Sequence, residues 1–249
     1  MAYGLGRCNA KEEEMDNTST RIPVVICVDA SGSMNWTDDQ EISRIERVKK
    51  GIDVFYNEIR NNPNALKSVS LCVVGYSDVA FIVREFNDIK PNDKGSQLKL
   101  ARNGKGDIGV GALESIRILE ERKEFYRYND INYKQPFLVL MSDGHSTAAT
   151  EEIAAANLIK GQARALELEG NNKLTVLPVY VGKNYETDKR AIKELGGFSK
   201  VNRAIDIEKG GFFSFFRMLG RSVSASSTGS NSSIKVGDNG QAIFDDDFD

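Results

Sequence analysis

The chain has 249 residues, 40% of them hydrophobic, enough for one sizeable core. Its 33 basic and 36 acidic side chains leave a net charge of −3, which offers no basic footprint for nucleic acid. No apolar run is long enough to span a bilayer, since F-F-S-F-F-R-M-L-G (212–220) is short and carries Arg217. The amino terminus, M-A-Y-G-L-G-R-C-N-A-K-E-E-E, lacks the apolar centre of a signal peptide. Three cysteines (Cys8, Cys27, Cys72) stand at no metal-ligand spacing. Cys27 and Cys72 lie in apolar runs and read as buried free thiols, so the expectation is a cytoplasmic protein in a reducing compartment.

Taken in chain order, R-I-P-V-V-I-C-V-D (21–29) reads as a fully buried strand ending at Asp29. Ile42, Ile45, Val48, Ile52, Phe55 and Ile59, at steps of three and four, predict a helix that N-N-P-N (61–64) ends. V-S-L-C-V-V-G-Y-S (69–77) and A-F-I-V-R-E-F (80–86) read as a hairpin. Ile108, Ala112, Ile116 and Leu119 mark a second helix, and P-F-L-V-L-M-S-D-G (136–144) a second buried strand ending at an acid. A helix over 151–168, a strand over 173–182, a short helix over 186–195, a weak strand near 200–207 and a last helix over 212–223 complete the pattern. Strands separated by helices predict an α/β fold: a doubly wound, mostly parallel six-stranded sheet with one antiparallel edge strand and helices on both faces. The organisation is an N-terminal extension (1–19), one domain (20–223), then a flexible Ser-rich linker and acidic tail (224–249) beginning S-A-S-S-T-G-S-N-S-S and ending F-D-D-D-F-D.

In open parallel sheets, ligands sit beyond the carboxyl ends of the strands, and Asp29 and Asp143 end two strands on that edge. In D-A-S-G-S-M (29–34), Asp29, Ser31 and Ser33 share a parity, so an extended loop aims them one way. Carboxylate, hydroxyl and water are hard ligands, suited to Mg²⁺, Mn²⁺ or Ca²⁺ and less to zinc. With so few carboxylates, the ion keeps positive charge for an outside acid. The plainer reading is that the serines cap the next turn. The full D-x-S-x-S pattern after a buried strand, with S-D-G ending another, favours the ion.

D-A-S-G-S resembles the D-x-S-x-S signature of the von Willebrand factor A (VWA) domain, and V-L-M-S-D-G is similar to that family's later aspartate motif. Within the family, I-P-V-V-I-C-V-D-A-S-G-S-M, L-E-E-R-K-E-F-Y-R and G-R-S-V-S-A-S-S look closest to the bacterial TerY/YegL-type cytoplasmic proteins. The resemblance covers roughly residues 20–223. It implies a metal-ion-dependent adhesion site (MIDAS) held by Asp29, Ser31, Ser33 and Asp143, with a partner's carboxylate completing the shell. It also implies a non-catalytic adaptor in a bacterial stress-resistance, tellurite-resistance or phage-defence system, beside kinase- or phosphatase-like partners. The family's G-T-x-x-G is replaced here by G-K-G-D-I-G, which puts Gly106 at the threonine position and Asp107 next to it. The expectation is that Asp107 enters the ion site, directly or through water.

Other readings are weaker. G-K-G-D-I-G (104–109) matches G-x-G-x-x-G but follows the polar stretch Q-L-K-L-A-R-N, not a strand. Ser31 occupies the second acid position of an aspartyl-phosphatase D-x-D-x-T motif. The alternative from another class is a metal-dependent hydrolase or phosphatase, for which His145, the one histidine, is the candidate base. Its plainer reading is a solvent-facing loop residue. Trp36, the one tryptophan, either packs on the first helix or forms a rim contact for a partner. Lys105 reads as a solvated loop lysine, and the acidic tail as a solvated terminus or a segment that docks on the chain itself or on a partner.

Overall fold

Residues 22–28 are apolar on both faces, and this decides where the strand goes. β1 (Ile22–Asp29) runs through the centre of the sheet with all eight residues buried. The computed structural model describes residues 19–37, 41–100, 103–183, 185–186, 188–208, 211–228 and 240, together with the strand pairing of 232–236 and 242–246. β1 pairs in parallel with β2 (Val69–Tyr76) on one side and β4 (Phe137–Ser142) on the other. β5 (Thr175–Tyr180) and the two-residue β6 (Ile205–Asp206) extend the β4 side, while β3 (Ala80–Asp88) lies antiparallel on β2. The order β3-β2-β1-β4-β5-β6 is the expected mostly parallel sheet with one antiparallel edge strand.

Alternation along β1 sorts its side chains into two layers. Ile22, Val24, Ile26 and Val28 pack with Val48, Ile52 and Phe55 of α1 (Arg44–Arg60), Ala65 of α2 (Pro63–Ser68) and Phe215 and Leu219 of α6 (Phe212–Thr228). Val25 and Cys27 face Ile108, Ala112 and Ile116 of α3 (Ile108–Tyr128), Ala165 of α4 (Glu151–Gly170) and Leu195 of α5 (Lys189–Gly196). Three helices that follow site loops begin on side-chain caps. Ser43, Asp107 and Thr150 accept the backbone N–H groups of Glu46 (3.4 Å), Val110 (3.2 Å) and Ile153 (3.3 Å).

The structure departs from the sequence expectation at two places. N-N-P-N does more than end α1: Asn62 accepts N–H groups from Asn64 and Ala65, each at 3.1 Å, and Pro63 opens α2. The last helix continues to Thr228 instead of giving way to a linker at 224. The hydroxyls of Ser226, Ser227 and Thr228 turn back onto the carbonyls of Ser222 (3.1 Å), Ser224 (2.6 Å) and Ala225 (2.9 Å), so serines that favour coil elsewhere are absorbed by the helix. Beyond it, β7 (Ser232–Val236) and β8 (Ala242–Asp246) pair antiparallel, and the Gly240 carbonyl accepts the Asp206 N–H at 2.8 Å. The β-forming runs I-K-V and A-I-F carry this hairpin inside a segment whose composition is otherwise serine and aspartate. The N-terminal extension up to residue 18 and the last three residues of the acidic tail lie outside the described residues.

α3 and α4 meet where neither has a side chain in the way. A Cβ on Gly109 would stand 2.3 Å from the Asn157 carbonyl carbon, and one on Gly161 would stand 3.4 Å from Gly109. Alanine has the better helix propensity by about 1 kcal/mol. Backbone cannot yield to a new methyl as a flexible side chain does. Gly109→Ala should therefore lower stability by about 1–3 kcal/mol in urea unfolding, and an unchanged or raised midpoint would contradict this packing.

Candidate functional site

The sheet order turns back between β1 and β4: the chain leaves β1 towards β2 and β3, then returns to β1's other side. The loops after the two strands therefore part company at the carboxyl edge, the place where such sheets bind ligands. Asp29 ends β1, and Asp143 directly follows Ser142, the end of β4. Both aspartates are buried.

D-A-S-G-S-M does not run on as a strand. Ser31 is extended (φ −65°, ψ 171°), and a 3-10 turn then covers Gly32–Asn35. Ser31 makes no side-chain cap to that turn. Its N–H donates to Asp29 Oδ1 at 2.8 Å, and its Oγ lies 3.1 Å from Ser33 Oγ. Ser33 Oγ in turn donates to Asp143 Oδ1 at 2.8 Å. Since the one Ser33 proton goes to Asp143, Ser31 is the donor to Ser33. The expected four oxygen-bearing side chains thus form one chain of contacts, made by a tight turn in place of the extended parity that the sequence suggested. Ser142 Oγ, 3.1 Å from Asp29 Oδ2, adds a hydroxyl from β4.

The electrostatics follow from the burial. Loss of water pushes the Asp29 carboxyl up to about 7, and the nearby Asp143 charge pushes the same way. Hydrogen bonds from Ser31 and Ser142 oppose them. A hard cation between these oxygens would relieve the same strain, and the donor set of two carboxylates and several hydroxyls fits one. Among the described residues, no group of three or more His, Cys, Asp or Glu side chains comes together, so the site is lean in charge.

Gly106 explains the missing threonine. A Cβ on it would stand 2.8 Å from Asp29 Oδ2, so the backbone itself closes this wall of the site. A hydroxyl arrives from another loop: Thr147 Oγ1 accepts the Gly106 N–H at 2.9 Å, and the Thr147 N–H returns to the Gly106 carbonyl at 2.9 Å. Sequence reasoning passed over Thr147, although S-D-G-H-S-T places it four residues after Asp143. Asp107, expected in the ion site, has both oxygens engaged elsewhere: Oδ1 caps α3, and Oδ2 accepts from Asn157 Nδ2 at 2.7 Å. A side chain that begins a helix and ties it to α4 is held to that task, and the local signal was an acid directly before a helical pattern.

Arg44 was not foreseen. It is the first residue of α1, is buried, and donates from a guanidinium nitrogen to Asp143 Oδ2 at 2.6 Å. Trp36 lies against the start of the first helix, with the Arg44 guanidinium 5.6 Å from its ring centre, and is 63% exposed, so it also stands at the rim. His145 is exposed, and Lys105 Nζ donates to the Ala148 carbonyl at 2.6 Å, stapling two site loops.

No protein-family model and no curated protein matches the chain. Solved structures do. The PilB minor pilin from Streptococcus sanguinis superposes with a TM-score of 0.60 at 11% identity, over 84% of this chain and 62% of that one, so this chain spans less than two thirds of the pilin's length. The vWF domain of the type V pili tip protein Mfa5 from Porphyromonas gingivalis gives a TM-score of 0.62 at 10% identity, over 87% of this chain and 99% of that one. A von Willebrand factor type A protein from Catenulispora acidiphila gives 0.53 at 14% identity, over 87% and 44%. At such identities the likeness is one of fold: the chain has a VWA-like α/β architecture.

Two predictions follow from this geometry. Asp29 holds a proton in the folded chain between about pH 4 and 7, where the unfolded chain has released it. Its contribution is therefore fully present at the acid end, is lost as pH rises through this window, and levels off above it. In EDTA, the melting temperature of wild type relative to Asp29→Asn should fall from pH 4 to 7, and parallel curves would contradict the raised carboxyl. Asp107→Ala should cost about 0.5–2 kcal/mol as a lost cap and leave Mg²⁺ affinity in calorimetry unchanged. A large loss of affinity would instead put Asp107 in the ion site.

Proposed function

We propose that this chain is a non-catalytic protein-binding module whose adhesion face is completed by a divalent ion, Mg²⁺ first, with Mn²⁺ or Ca²⁺ as substitutes. The observation that carries the reading is the linked set Asp29–Ser31–Ser33–Asp143, gathered where the sheet order reverses. Asp29, Ser31, Ser33 and Asp143 would hold the ion. Two carboxylates would leave such an ion with positive charge to offer, so the partner is a protein presenting an acidic side chain. The ion supplies an electrostatic bridge. The chain's own residues orient it and exclude water beneath it.

The likeness to a minor pilin and a pilus tip protein supports a binding role at the level of fold. The finer reading, an adaptor subunit in a bacterial stress-resistance, tellurite-resistance or phage-defence system with a kinase- or phosphatase-like partner, rests on the sequence resemblance. Cytoplasmic placement draws support from Cys27 and Cys72, which are buried free thiols. Among the described residues, no helix is long and apolar enough to cross a membrane.

Affinity purification from the native host, with wild type against Asp29→Ala and with Mg²⁺ against EDTA, tests this reading. The expected result is a partner retained by wild type in Mg²⁺ alone. Saturating Mg²⁺ should also raise the melting temperature of wild type and leave Asp29→Ala unmoved. Retention that ignores EDTA, or Mg²⁺-dependent phosphatase or nuclease turnover, would overturn it, the second outcome in favour of a hydrolase.

A further inference from the structure

The position of Arg44 is costly in two ways. A cation at the first residue of a 17-residue helix faces the positive end of the helix dipole. A guanidinium that is almost fully buried also loses its water. The 2.6 Å bond to Asp143 Oδ2 is one contact that offsets them, and there each partner shields the other from solvent. The backbone reinforces the placement: Ser43 caps α1, and the Arg44 N–H donates to the Trp36 carbonyl at 3.0 Å. Arg44 is therefore tied to the same loop, 29–36, that carries Ser31 and Ser33.

We propose that Arg44 sets the ion affinity of this site: it serves as an internal counter-cation on Asp143, and a divalent ion binds by taking Asp143 from it. The inference rests on the ion-binding reading above. With Arg44 in place, the Asp29–Asp143 pair retains one net negative charge in its ionised state. Without it the pair retains two, and like-charge repulsion between the guanidinium and an incoming cation disappears. A monovalent ion competes poorly with a buried, hydrogen-bonded guanidinium, whereas a divalent ion gains twice the attraction from both aspartates. When Arg44 gives up Asp143, its guanidinium still lies beside the exposed Trp36 ring. Ion binding then changes the rim that an acidic partner meets, as well as the centre.

The chain reports on this itself, because Trp36 is its only tryptophan. The experiment titrates MgCl₂ and MnCl₂ into the full chain and into Arg44→Gln and Arg44→Lys, by calorimetry and by tryptophan emission. Arg44→Gln should bind either ion about tenfold tighter than wild type, while Arg44→Lys, which keeps the charge, stays close to wild type. Emission of wild type should change along the same isotherm as the heat. In Arg44→Gln, calorimetry should register binding with little change in emission. Because Arg44→Gln takes the counter-cation from buried Asp143, its melting temperature should be low in EDTA and rise more with Mg²⁺ than that of wild type, a readout that survives partial unfolding. Equal affinities for wild type and Arg44→Gln, or equal tightening in Arg44→Lys and Arg44→Gln, would overturn the role of Arg44 and leave the ion site standing. An ion isotherm in wild type without any change in emission would overturn the displacement. Absence of binding to all three chains would overturn the ion site together with this inference.

Discussion

Two carboxylates buried side by side at the ends of neighbouring strands are the constraint from which the rest of this site follows. Parallel pairing of β1 with β4 brings Asp29 and the segment holding Asp143 to one edge, and burial removes the water that would screen them. Charges in that position must be compensated, or the fold pays for them. Every carboxylate oxygen of the pair accordingly has a donor: the Ser31 N–H and Ser142 hydroxyl for Asp29, the Ser33 hydroxyl and Arg44 for Asp143.

The surrounding architecture can be understood as the means of delivering those donors. The 3-10 turn after Ser31 curls the loop so that Ser33 reaches across to β4's aspartate. Gly106 admits the backbone of a third loop against Asp29, and paired hydrogen bonds with Thr147 hold that loop to the one that carries Asp143. Asp107, by starting α3 and bonding Asn157 on α4, keeps both helices in place behind the site. Adjacent residues in G-K-G-D thus have different tasks, Gly106 making room against Asp29 and Asp107 holding the two helices.

The fold is shared with proteins of very different sequence, among them a minor pilin and a pilus tip domain. A doubly wound sheet of this kind is a scaffold that tolerates many surfaces. The site of this chain is built locally: a glycine against Asp29, a threonine bonded to that glycine, and an arginine resting on the second aspartate.

The sequence alone determined the architecture, because apolar runs buried on both faces can only be central strands and helical spacing between them demands parallel crossovers. It also determined Asp29, Ser31, Ser33 and Asp143 as a candidate set, since D-x-S-x-S and S-D-G are local patterns at strand ends. The extension of α6 to Thr228 and the 232–246 hairpin escaped it because serine and aspartate composition argues for coil while side-chain bonds to nearby carbonyls and strand pairing argue against it. Tertiary structure alone decided three things. It brought Arg44, far from Asp143 along the chain, onto that carboxylate, set Thr147 on Gly106, and committed Asp107 to a helix cap and Asn157. In each case the partner is chosen by which groups become buried together, and burial is a property of the packed layers, not of any short stretch of sequence.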